Sequence, residues 1–215
     1  MSKEKYYIID TDKRYYESMG FAKDDKEKVS EALKIAYDTR KFEISLYWER
    51  AKYFWTIITI TSVAFGWVFE NGSNELQYSF WIANIGFILS LAWLFVNMGS
   101  KYWQQNWEDH IDQLERANKC RIYSIILQKE SFYPFKAFPF SVSKINQIIS
   151  LYVVCLWLLA LIYTGLQITW NICFEDSWIN WLVSIITLVF VFLLIVKGKS
   201  RNFELQKRSV FRKRI

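Results

Sequence analysis

Four stretches of the chain carry no Asp, Glu, Lys, Arg or His: Tyr53 to Phe69, Ser79 to Met98, Asn146 to Ile168 and Trp178 to Val196. They run to 17, 20, 23 and 19 residues. A helix rises about 1.5 Å per residue, so roughly 20 residues cross a hydrocarbon core of about 30 Å. All four therefore predict transmembrane helices. Helical spacing also extends beyond them. Val29, Leu33, Ala36, Tyr37, Ile44, Tyr47 and Trp48 recur at the period of a helix face, with no Pro or Gly before Gly66. Asp24 reads as the cap, with Glu27 three residues later as in a capping box. One helix is expected to run from there through the first span. Continuing the second span at 100° per residue brings Val96, Trp103, Trp107, His110 and Leu114 into one arc, with Lys101, Glu108, Asp112, Glu115 and Lys119 opposite. That apolar stripe is the expected partner of the first helix's stripe.

The remaining segments are less regular. RIYSIIL is β-branched and reads as a short strand paired with YYIID near the N-terminus. SFYPFKAFPF holds both prolines and suits an interfacial loop, since aromatic rings sit well at headgroup level. Ser143 reads as the cap of the third span. The fold expected is an all-α membrane protein with four transmembrane helices, helical cytoplasmic extensions and a short cytoplasmic strand pair, assembled as a homo-oligomer. It divides into an N-terminal arm and helix (1–52), spans one and two (53–98), a cytoplasmic helix and aromatic loop (99–145), spans three and four (146–196) and a basic tail (197–215).

Charge sets the orientation. Segments 1–52, 99–145 and 197–215 hold 12, 7 and 8 basic residues, the whole complement of 27. The other two loops, ENGSNELQY and TWNICFEDS, hold none. Basic loops stay in the cytoplasm, so both termini and the middle segment are expected there, in a multi-pass protein of the bacterial inner membrane. The net charge of +6 is then largely topology and implies no DNA partner. The tail KGKSRNFELQKRSVFRKRI is more basic than orientation requires. It suits anionic lipid headgroups, with RNA or an acidic protein as the alternative. The charged first 50 residues hold no removable signal peptide, so the first span is expected to act as an uncleaved anchor.

Candidate chemistry is sparse. Three cysteines without CxxC spacing imply neither a disulfide framework nor a metal site. GxSxG, HExxH, P-loop and Gly-rich dinucleotide motifs are missing, so no catalytic residues, metal or cofactor are assigned. His110, the only histidine, falls in the aromatic arc away from most neighbouring carboxylates. It is expected to be structural, packed among aromatics with one ring nitrogen bonded to a neighbour such as Asn106; pH sensing and metal or catalytic chemistry are the alternatives. Spans without charge argue against a proton relay. Thr56, Thr59, Ser62 and Gly66 share one side of the first span, and Ala83, Gly86, Ser90 and Asn97 one side of the second. Such faces pack closely within a subunit or line a narrow wet path between subunits. The fourth span, apolar nearly all round, reads as lipid-facing.

LYWERAKYFW (46–55) and GSKYWQQNWEDHIDQLE (99–115) resemble the RipA family of bacterial inner-membrane proteins, described as octameric. That family is similar to the small membrane accessory proteins encoded beside the RNA-targeting nuclease of type VI-B CRISPR loci. The second segment carries the resemblance through Ser100, Lys101, Tyr102, Trp103, Asn106, Trp107, Glu108, His110 and Asp112. The resemblance implies an octameric inner-membrane protein with self, lipids and an RNA-targeting CRISPR effector as partners. It implies a pore that strengthens antiphage defence or, as in RipA, a factor for growth inside host cells. The ribonuclease-type spacing of Arg, four to six residues, then His is missing before His110, so no nuclease activity is carried over. Two functions are therefore expected: a non-enzymatic pore, or a non-conducting scaffold for a cytoplasmic enzyme or for envelope homeostasis.

The basic asymmetry gives a direct test. An impermeant thiol reagent on intact spheroplasts is expected to label Cys173 and spare Cys120. The reverse pattern would invert the topology.

Overall fold

The computed structural model describes residues 11–71, 75–119, 122, 123, 125, 140–171 and 177–198. It contains α1 (Thr11–Ser18), α2 (Lys26–Asn71), α3 (Glu75–Ala117), α4 (Val142–Asn171) and α5 (Ser177–Lys197). Among the described residues there is no strand. The YYIID segment and most of RIYSIIL, the aromatic loop up to Pro139 and the tail beyond Gly198 lie outside them. α2 to α5 are all long and apolar enough to cross a membrane.

Two helix starts differ from the sequence reading by a residue or two. α2 is capped by Asp25, not Asp24: its carboxylate accepts from the Lys28 amide at 3.3 Å, and its carbonyl accepts from the Val29 amide at 3.0 Å. An aspartate at either place can cap. With the helix starting at Lys26, it is the Asp25 side chain that meets the Lys28 amide, and Val29 turns inward. α4 begins after Ser141, whose hydroxyl accepts from the Lys144 amide at 3.4 Å; Ser143 is already inside the helix. α1 was not foreseen. It ends at Gly20, whose φ of +82° only glycine adopts freely.

The described residues form two compact units. The first holds α1, α2 up to Ile44 and α3 from Tyr102. Its core is Tyr15, Tyr16, Val29, Leu33, Ala36, Ile111 and Leu114. The stripe of α2 does meet the continuation of the second span, with α1 as a third member.

The second unit holds α2 from Ser45, α3 up to Lys101, α4 and α5. Here α3 is central: 44% of its apolar stretch is buried, against 6% in α2, 22% in α4 and 11% in α5. Hydrocarbon gives helices no hydrophobic reason to associate, so close approach and polar bonds decide. Ala83 and Ser90 are fully buried on α3, and Gly86 lies flat under the indole of Trp157 from α4. α5 is fastened by two polar pairs. The Trp81 indole donates to Asn180 at 2.9 Å, and Thr187 donates to Asn84 at 2.7 Å. α5 is thus lipid-like on most of its surface, but Asn180 and Thr187 give it one buried polar side.

A Cβ at position 86 would overlap the Trp157 ring, whereas one at Gly66 meets nothing within 4 Å. Gly86→Ala is expected to destabilise the helix bundle by about 1–3 kcal/mol through overpacking. Gly66→Ala is expected to leave the thermal unfolding of detergent-solubilised single chains unchanged. Equal shifts would refute this packing.

Candidate functional site

The segment that opens after the second span, residues 100–115, is the richest in side-chain bonding. In the first unit its buried positions are Gln104, Ile111, Leu114 and Glu115. This line is displaced from the expected Trp103, Trp107, His110, Leu114 arc by most of one residue's rotation. Trp103, Trp107 and His110 are half-buried at its edge. Glu115, placed on the outer arc by its helical angle, is 1% exposed. The correction has a physical cause. The Tyr37 hydroxyl donates to its Oε1 at 2.5 Å, and the Tyr123 amide donates to both oxygens at 3.1 and 3.0 Å. A carboxylate so bonded tolerates burial. Lys119, in the left-handed region at φ 55°, turns the chain at the end of α3 and brings that amide back.

Arg40 organises the adjacent layer. It donates to Glu108 at 3.1 Å, and its guanidinium lies 4.8 Å from the centroid of Tyr123. The Tyr123 hydroxyl is pushed up to about 12, first by burial and then by the Glu108 carboxylate, with Arg40 opposing. Asp112 is bonded by Arg116 at 2.7 Å. The two acidic residues four apart therefore each hold an arginine of their own.

His110 Nδ1 lies 2.7 Å from the hydroxyl of Tyr15 on α1, so its partner is Tyr15 and not Asn106. Its ring sits 5.4 Å from Trp107 and 5.6 Å from Tyr15. Burial lowers its pKa, with Asp109 opposing. Burial also raises that of Tyr15, helped by Tyr16. The pair is therefore built for a neutral imidazole. Next to it, the Tyr16 hydroxyl donates to the Gln113 carbonyl at 2.7 Å, so two tyrosines fix α1 to α3. Lys101 and Asn106 are half-buried.

In the second unit the segments 46–55 and 97–100 meet. Asn146 of α4 donates to the Tyr47 hydroxyl at 2.6 Å and to Asn97 at 3.2 Å. Gln147 donates to the Asn97 carbonyl at 3.4 Å, and Arg50 to Ser100 at 3.1 Å. Asn97, Gly86 and Ser90 are therefore spent on packing inside the chain. Thr56, Thr59, Ser62 and Gly66 are not: all four are exposed on α2.

The model of the octameric membrane protein family matches residues 30–167, well over half of the chain. The chain belongs to the octameric membrane protein family. No curated protein and no solved structure matches it. With four helices able to span a bilayer, it is a membrane protein of that family. The octameric-family match starts inside α2 and ends inside α4, so it takes in both segments that meet at Asn97 and the whole of α3. α1 and α5 lie outside the matched range. Tyr15 and Tyr16, on α1, bond His110 and Gln113 inside it.

Sequence reasoning missed Tyr15, Tyr16 and Arg40; it set Tyr37 on the α2 stripe and Glu115 on the outer arc without joining them. The available signal was the i, i+4, i+7 spacing of Glu108, Asp112 and Glu115 against aromatics on α2, and the helical angles pointed it outward.

A depressed histidine pKa has a definite sign in the stability. The contribution is fully present above the unfolded value, about 6.5, and is lost as pH falls through the folded one. Hydrogen-exchange protection at α1, corrected for the pH dependence of intrinsic exchange, is expected to fall below about pH 6.5. His110→Gln is expected to flatten that part of the pH dependence while keeping the fold. An unchanged profile in His110→Gln would discard the histidine as its source.

Proposed function

We propose that the chain acts as a non-enzymatic, oligomeric pore in the bacterial inner membrane, with both termini cytoplasmic, serving as an accessory to antiphage defence. One observation carries the oligomer. From α5 to α4 to α3 the apolar stretches become less apolar as they become more buried, the order expected when lipid covers what the chain does not. α2 breaks the order: it is the least apolar of the four and the least covered, at 6% buried. Its outer side carries Thr56, Thr59, Ser62 and Gly66. A helix of this kind is better placed against other subunits and a central path than against hydrocarbon. A family described as octameric supports the same reading.

The path would be narrow and uncharged. The 27-to-zero distribution of basic residues supports the orientation, and the tail would meet anionic headgroups. The resemblance of residues 46–55 and 99–115 to type VI-B accessory proteins supports the defence setting and an RNA-targeting effector as partner.

A non-conducting scaffold for envelope homeostasis or intracellular growth is the second reading. Thr56 donates to the Lys52 carbonyl at 3.0 Å and Ser62 to Ile58 at 2.8 Å, so these hydroxyl protons are satisfied without water. Their lone pairs still accept from water, which keeps the pore reading first.

The purified full chain is expected to run as an oligomer of about eight copies and to conduct ions in planar bilayers. Ser62→Leu and Gly66→Trp are expected to lower unit conductance without changing the oligomer's mass. An intact oligomer that never conducts would favour the scaffold.

A further inference from the structure

α2 has two apolar sides. One is buried within the chain at Val29, Leu33, Ala36, Tyr47, Ala51 and Ile58. The other carries Ile35, Phe42, Tyr53, Ile60, Val63 and Trp67, each more than half exposed. Their spacing is regular. Ile35, Phe42 and Val63 fall in one series of positions seven apart, and Tyr53, Ile60 and Trp67 in a second series offset from it by four. Two such series on one helix make the seam along which a second helix packs at 3.5 residues per turn. Glu49 and Thr56 interrupt the first series. Polar residues at such places cost stability and fix the register of the pair.

Lipid covers only part of this seam. The uncharged block begins at Tyr53, and Asp38, Arg40, Lys41, Glu43, Glu49, Arg50 and Lys52 precede it. Ile35 and Phe42 therefore stand where hydrocarbon does not reach. What covers the seam must cross the bilayer and continue as a long helix beyond it. α2 and α3 of another copy, at 46 and 43 residues, have that form. A family described as octameric requires each chain to meet neighbouring copies through some part of its surface.

We propose that the exposed seam of α2, from Ile35 to Trp67, is the subunit interface, and that its occupant is a long helix of a second copy of this chain. This rests on the oligomeric reading above and adds which face is joined. It separates the seam from the adjoining Thr59, Ser62, Gly66 side, which is left for the central path.

The test places the photo-crosslinker benzoylphenylalanine at Phe42, Ile60 or Lys34 of the full chain. Each variant is co-expressed in membranes with a copy bearing a different tag. Positions 42 and 60 are expected to give an adduct of two chains carrying both tags. Lys34, exposed on another side of the same helix, is expected to give none. The double variant Ile35→Ser, Phe42→Ser alters exposed residues only and is expected to weaken association at least about tenfold while helix content is kept. Adducts with a different protein, adducts with lipid alone, or no adduct would overturn the seam. Oligomer mass measured on the same samples separates the failures: an intact oligomer without adducts removes the seam and leaves the oligomeric reading, whereas no oligomer removes both.

Discussion

Inside hydrocarbon a helix gains nothing from hiding apolar surface, because its surroundings are equally apolar. What holds this bundle is therefore the shape of α3 and the few polar groups placed on it. Gly86 gives the Trp157 indole a flat backbone to lie on. Ala83 and Ser90 continue the same close contact. Asn84 and Trp81 reach α5, and Asn97 reaches α4. Each such bond contributes on average only about 0.6 kcal/mol in a membrane. Because all of them sit on one helix, α3 is the common partner, which fits its being the most buried of the four.

α2 follows from the same constraint by contrast. It touches the bundle through a narrow side, with Ala51 and Ile58 buried and Trp55 edge-on to Trp93 at 6.3 Å. Its polar anchors lie at one end, where Tyr47 meets Asn146 and Arg50 meets Ser100. The rest of its surface holds threonines, a serine, a glycine and large aromatics. Gly66 illustrates the difference: the notch it opens is empty within the chain, while that of Gly86 is filled. A helix whose polar anchors in this unit lie at one end, and which is the least apolar of the four, is poorly matched to lipid.

The four spans, their extension into long helices and the pairing of the α2 stripe with residues after the second span were all legible in the sequence. They rest on composition and period, which survive small errors of register. The side-chain site was less legible because it depends on register and on distant partners. Helical angles placed Trp107 and His110 in the core and Glu115 outside. A rotation of less than one residue reverses their burial, and nothing within residues 100–115 records it. The information lies in Tyr37, 78 residues earlier, and in the Tyr123 amide, 8 residues later. α1 was illegible for another reason. TDKRYYES has two adjacent aromatics and no repeat, so no period can appear in its eight residues.

At the single histidine, residue type and near neighbours suggest chemistry, while the helical angles already set it among aromatics. Flanked by Glu108, Asp109 and Asp112, it looks like chemistry. In space, Glu108 belongs to Arg40 and Asp112 to Arg116, and the imidazole faces Tyr15 between aromatic rings. Burial works against its cation, and one ring nitrogen is engaged by a hydroxyl that burial keeps protonated. His110 receives the Tyr15 hydroxyl from a short helix that lies outside the family's matched range. The carboxylates that made the stretch look catalytic are what allow two arginines to be drawn in beside it, and the histidine's own work is to hold α1 in place.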